Sequence, residues 1–107
     1  MQQITPTELA AWLADEHRES PLLLDVREPW EFQTCHIEGS LAMPMALVPE
    51  RQQELPDDRA IVCICHHGAR SLQVAYFLER AGFENVINLA GGVDAWALQV
   101  DRSMPTY

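Results

Sequence analysis

The apolar positions of this chain alternate between a helical and a strand-like rhythm. Leu9, Trp12 and Leu13 recur at the i, i+3, i+4 spacing of one helix face, just after Thr5-Pro6-Thr7-Glu8. In that tetrad Thr5 suits an N-cap, Pro6 the first helical position, and Glu8 the closing residue of a capping box. Leu22-Leu23-Leu24-Asp25-Val26, after Pro21, is a short unbroken apolar run of the kind buried on both faces of a parallel sheet. Pro29 opens a short helical turn carrying Glu31 and Phe32, and Leu41-Ala42-Met43 is a brief strand stopped by Pro44. Residues 45–56 hold Pro49 and Pro56 around a charged stretch, which predicts a short helix or an irregular surface segment.

The second half repeats the alternation. Ala60 to Cys65 reads as the central strand. Val74, Phe77, Leu78 and Ala81 line one face of a helix over 71–81, and Gly82 stops it. Asn85-Val86-Ile87-Asn88-Leu89 is a further buried strand, and Gly91-Gly92 turns the chain into a last helix carrying Val93, Trp96 and Ala97. Asp101 to Tyr107 shows no pattern. Strands alternating with helices predict an α/β domain over 1–107, with a mainly parallel sheet of about four to five strands and helices on both faces.

Composition narrows what such a domain does. At 107 residues it is long enough for one core without staples or metals. No apolar run approaches the roughly 20 residues of a membrane span, and Met1-Gln2-Gln3-Ile4-Thr5-Pro6 has no leader pattern. Three cysteines are too few and too uneven for a disulfide framework, so a reducing, cytoplasmic setting is expected. The net charge is -9, and all seven basic residues are arginines. With no basic stripe, nucleic-acid binding is not expected. The same acidity repels small anions at long range, so any anionic substrate must be held by a local cradle.

The stretch Cys65-His66-His67-Gly68-Ala69-Arg70-Ser71 supplies such a cradle. A cysteine ending a strand, followed by a tight turn and a helix start, lies under backbone N–H groups that favour negative charge on sulfur. A thiolate there is a nucleophile for an anionic substrate. Four residues separate Cys65 from Arg70. Cysteine phosphatases use one residue more, because a tetrahedral phosphoryl group must fit inside the ring of amides; the shorter ring suits a single sulfur atom on the cysteine.

This loop resembles the active-site loop of single-domain rhodaneses, which are sulfurtransferases. Three further segments support the resemblance, in the family's order: Asp25-Val26-Arg27 with Glu31-Phe32, His36-Ile37-Glu38-Gly39 through Pro44, and Gly91-Gly92 with Trp96. The family usually has glycine before its His-Ile pair, where this chain has Cys35; a side chain there disfavours a positive-φ turn and adds a second thiol. The resemblance implies a three-layer rhodanese-like fold. It also implies a reaction in which Cys65 takes sulfane sulfur from thiosulfate or a persulfide and passes it to cyanide or a thiol. His66, His67, Gly68, Ala69, Arg70 and Ser71 would bind substrate, and Asp25, Arg27, Glu31 and His36 would support the loop.

Several residues keep two readings. Arg70 either holds an anion or pairs with a carboxylate such as Glu31. Cys35 is either a neutral substitution or a thiol that resolves a persulfide on Cys65. Cys63 reads as a small core side chain. Adjacent histidines in a tight loop converge poorly on one ion, so neither a metal nor another cofactor is expected. The expected partners are a small sulfur anion, a sulfur-carrying protein or a thiol, with the chain a monomer or homodimer. The competing functions are a small cysteine phosphatase or arsenate reductase, and a non-catalytic interaction module.

Overall fold

A computed structural model describes residues 1–107. Five parallel strands form one sheet in the order β1-β5-β4-β2-β3: β1 Gln2–Ile4, β2 Leu22–Asp25, β3 Leu41–Ala42, β4 Ile61–Ile64 and β5 Val86–Leu89. Four α-helices connect them and a fifth follows the last strand: α1 Pro6–Ala14, α2 Pro29–Thr34, α3 Val48–Arg51, α4 Ala69–Arg80 and α5 Gly92–Gln99. The expected α/β architecture is what forms. None of these helices is long and apolar enough to cross a membrane.

The central strands β4 and β5 are buried on both faces, and β2 nearly so, as their largely apolar runs require, whereas the outer strands β1 and β3 are mostly exposed. Successive side chains point to opposite faces and so divide the core in two. Leu23, Val62, Ile64, Ile87 and Leu89 pack with Leu9 and Trp12 of α1 and Val93 and Trp96 of α5. Leu24, Ile61, Cys63 and Val86 pack with Val74, Ala75 and Leu78 of α4 and Val48 of α3. Layers of helix therefore lie on both sides of the sheet.

Local signals account for most boundaries. Thr5 caps α1 through its side chain, and the Thr5 N–H bonds Glu8 Oε1 at 2.9 Å, completing the capping box. Residues 45–56 resolve into α3 flanked by 3₁₀ turns at Met45–Leu47 and Gln52–Glu54. Helix α4 begins at Ala69, two residues before the expected start at Ser71, because Gly68 (φ 103°) turns the chain directly into it. Strand β1 was not legible: two of its three residues are glutamines, and it forms because β5 offers a free edge, with Gln3 opposite Asn88.

Candidate active site

Cys65 lies just past β4, at the carboxyl end of the sheet where parallel α/β folds place ligands. Its Sγ accepts a hydrogen bond from the Gly68 N–H at 3.1 Å. The backbone N–H groups of His66, His67, Ala69, Arg70 and Ser71 have no acceptor within the chain. Those of Ala69 to Ser71 are first-turn donors of α4, which a helix leaves unpaired, and with the amides of His66 and His67 they form a nest suited to negative charge. The Ser71 hydroxyl lies 2.6 Å from Asn88 Oδ1 and 3.2 Å from Sγ. It has one proton, so the two acceptors compete for it.

The β5–α5 turn fixes the loop's course. Val93 and Asp94 N–H donate to the Cys65 and His66 carbonyls at 2.9 and 3.1 Å, and Asn88 Nδ2 donates to the Gly68 carbonyl at 3.1 Å. A Cβ at Gly92 would lie 2.2 Å from the Cys65 carbonyl oxygen, so only glycine lets the turn approach this closely.

Arg70 resolves in favour of a brace. Its Nη1 and Nη2 each lie 2.9 Å from one oxygen of Glu31, forming a two-pronged clamp from α2 to the loop. Glu31 also accepts from the Glu28 N–H at 2.8 Å and the Tyr107 hydroxyl at 3.0 Å. The Arg70 bonds, working against burial, hold the Glu31 carboxyl down at about 2, below its ordinary 4.5. Asp25 and Arg27 form the expected internal pair at 2.6 Å, both buried. Arg27 also donates to the Cys35 carbonyl at 2.7 Å, so the pair anchors the end of α2 rather than the loop itself.

A folded carboxyl held below its unfolded value stabilises the protein above the unfolded pKa, and that stability disappears as pH falls through the folded value. The Glu31 clamp is therefore fully present at neutral pH and is lost between about pH 4.5 and about pH 2. Glu31→Gln is expected to cost on the order of 2 kcal/mol at pH 7, allowing for solvent screening at half-exposed Arg70. Denaturant unfolding across that window checks it: the wild type loses its advantage over the variant as pH falls.

The remaining expected site residues fall in different places. His66 and His67 stand at the mouth with their rings stacked 3.9 Å apart. Burial, aided by the charge of His67, pushes the His66 imidazole below its ordinary value, favouring its neutral form. His67 Nε2 approaches Asp94 at 3.8 Å, and the donor atoms of His66, His67 and Asp94 lie within 4.8 Å of one another. A tetrahedral ion with bonds of roughly 2.0–2.1 Å needs donors about 3.3 Å apart, and face-to-face rings aim their nitrogens side by side. His36 does not reach the loop: it is exposed, stacked on Phe32 at 4.0 Å, with Nδ1 2.8 Å from the Phe32 carbonyl.

The two other thiols differ from Cys65. Burial pushes Cys63 up to about 12, which leaves it a core side chain. Cys35 has the extended conformation (φ −165°, ψ 150°) that a non-glycine residue adopts freely. It packs in the core layer of α1 and α5, whereas Cys65 belongs to the layer of α4.

Two residues escaped the sequence reading. Asn88 carried a signal, a polar residue within an apolar strand, and it is buried while bonding Gly68 and Ser71. Tyr107 carried none. Its ring stacks on His66 at 4.0 Å and its hydroxyl lies 2.9 Å from Arg27 Nη1.

Comparison with known proteins agrees with this geometry. The rhodanese-like domain model matches residues 5–99. A sulfurtransferase of Allochromatium vinosum is 41% identical over 97 residues, covering 91% of this chain and 89% of that protein. The probable adenylyltransferase/sulfurtransferase MoeZ of Mycobacterium tuberculosis is 40% identical over 106 residues, covering 97% of this chain, which spans only 26% of that longer relative. Among solved structures, a rhodanese-like domain protein from Staphylococcus aureus superposes with a TM-score of 0.86 at 26% identity, covering 100% of this chain and 99% of its own. With the match spanning nearly all its elements, and a cysteine under unpaired amides at the carboxyl end of the central strand, this chain belongs to the rhodanese-like domain family.

Proposed function

We propose that the chain is a sulfurtransferase that carries sulfur as a persulfide on Cys65. The observation that supports this most is the Gly68 N–H on Sγ, continued by the unpaired amides of the same loop. In the first step the Cys65 thiolate attacks the outer sulfur of thiosulfate or of a donor persulfide. A new S–S bond forms on Cys65, and sulfite or the donor thiolate departs with the electron pair of the broken S–S bond. In the second step an acceptor thiolate, or cyanide in an assay, attacks the outer sulfur and Cys65 leaves as thiolate. The negative outer sulfur of the intermediate is held by the amide run, much as an oxyanion is held by preorganised donors. No metal or other cofactor takes part in either step.

The net charge of -9 favours a thiol or a sulfur-carrying protein over a free small anion as the cellular partner, since only the loop offsets the long-range repulsion. Turnover through a free thiolate suits a reducing compartment such as the cytoplasm. Incubation with thiosulfate followed by peptide mass spectrometry tests the reading. The peptide containing Cys65 should gain one sulfur atom and lose it again on adding cyanide. An unmodified Cys65 peptide under conditions where the protein is folded overturns the proposal.

A further inference from the structure

We infer that Tyr107 decides which donors and acceptors reach Cys65, by closing the mouth of the site with the segment 101–107. The inference rests on the reading of Cys65 as the sulfur carrier. Cys65 is only 1% exposed, so something must open before any reagent reaches it. The segment turns back at Asp101, whose N–H bonds the Trp96 carbonyl at 3.0 Å and whose carbonyl accepts from Met104 N–H at 3.1 Å. Pro105 to Tyr107 then close against Cys35, His66 and Val93, leaving a gap too narrow for water.

Tyr107 touches the Cys65 loop at His66 and is tied to its far end through Glu31. Its ring lies on His66, the residue after the nucleophile, at 4.0 Å and nearly parallel. Its hydroxyl donates to Glu31 Oε1 at 3.0 Å, and Glu31 holds Arg70 at the loop's far end. Trp30 supports the ring edge-on at 5.6 Å.

These contacts have the character of a gate rather than of a brace. Each charged group that Tyr107 touches keeps other partners without it: Glu31 keeps both Arg70 bonds, and Arg27 keeps Asp25. Lifting Tyr107 therefore opens the mouth and leaves the clamp intact. Tyr107 as a residue is 37% exposed, so solvent reaches it. Residues 100–107 lie beyond the stretch 5–99 that the family model matches. A donor the size of a small anion needs only the Tyr107 side chain to swing away. A persulfide on a peptide or protein needs Pro105 to Tyr107 displaced as a unit.

Alkylation tests the gate without requiring sulfur transfer. Rates of Cys65 modification by iodoacetamide and by a polyethylene glycol maleimide are measured in wild type, Tyr107→Phe and Tyr107→Ala, all carrying Cys63→Ala, reading the Cys65 peptide by mass spectrometry so that neither Cys35 nor Cys63 interferes. Tyr107→Ala should speed the bulky reagent about tenfold and the small one by about threefold or less, as expected for a local opening that exposes the thiol. Tyr107→Phe, which keeps the ring and loses both hydroxyl contacts, should fall between. A ratio of the two rates that is the same in all three proteins overturns the inference. If instead the ratio shifts while Cys65 takes up no sulfur from thiosulfate, the gate stands and the sulfurtransferase reading falls.

Discussion

Cys65→Ser is expected to lower sulfur transfer more than about a thousandfold, because removing a covalent nucleophile removes the route itself. The change is close to isosteric, and the Gly68 N–H and the Ser71 hydroxyl that face Sγ have an oxygen to face instead. Stability should therefore change little, and the loss of rate would report chemistry rather than unfolding. A serine hydroxyl is neutral at working pH and does not displace sulfite from a sulfane sulfur. Cys63→Ala, two residues earlier on β4, provides the contrast. That thiol is buried and its proton is held tightly, so the variant should lose some stability to a small cavity but still form the Cys65 persulfide. Steady-state rates with thiosulfate, together with unfolding curves for both variants, check the pair. Turnover in Cys65→Ser within tenfold of wild type would place the nucleophile elsewhere.

The expectation could be this sharp because the Cys65 loop is local in sequence. Cys65, Gly68, Arg70 and Ser71 lie within one turn and one helix start, and the apolar rhythms on either side place that turn at a strand end. The sheet was legible for the same reason: β2, β4 and β5 are largely apolar runs. What could not be read depends on contacts made across the fold. Gln2–Ile4 becomes a strand only beside β5, and Arg70 pairs with a carboxylate 39 residues away. Tyr107 joins Arg27 across a separation of 80 residues, with no local periodicity to betray it. His36 illustrates the opposite error. A family motif drew it toward the loop, but its nearest partner is Phe32, one helical turn earlier.

The second large effect is expected at Gly92. Its φ of 59° lies in the left-handed region, and a Cβ there would sit 2.2 Å from the Cys65 carbonyl oxygen and 2.5 Å from that of His66. Both obstacles are main chain, so they yield only if the loop or the start of α5 moves. Left-handed strain of roughly 1–3 kcal/mol adds to overpacking of similar size, so Gly92→Ala should cost about 3 kcal/mol or more. For a domain of this length that lowers the melting temperature by roughly 15 °C. Activity should fall further than stability alone explains. The shift breaks the Val93 and Asp94 N–H bonds that fix the Cys65 and His66 carbonyls, and with them the aim of the amides behind those carbonyls. Thermal melts and initial rates well below the melting temperature separate the two effects. A Gly92→Ala protein with wild-type melting and turnover would show that the turn does not set the loop's position.

Asn88 has a further consequence for when the Cys65 loop becomes fixed. Its side chain takes Ser71 by the oxygen and divides its amide hydrogens between Gly68 and Gln3, a residue 85 positions away. Three distant parts of the polypeptide thus meet at one carboxamide, and Val93 and Asp94 complete the arrangement from a fourth. During synthesis on a ribosome, Cys65 emerges before Asn88, Val93 and Asp94, so the course of its loop is set only once the β5–α5 turn has been made.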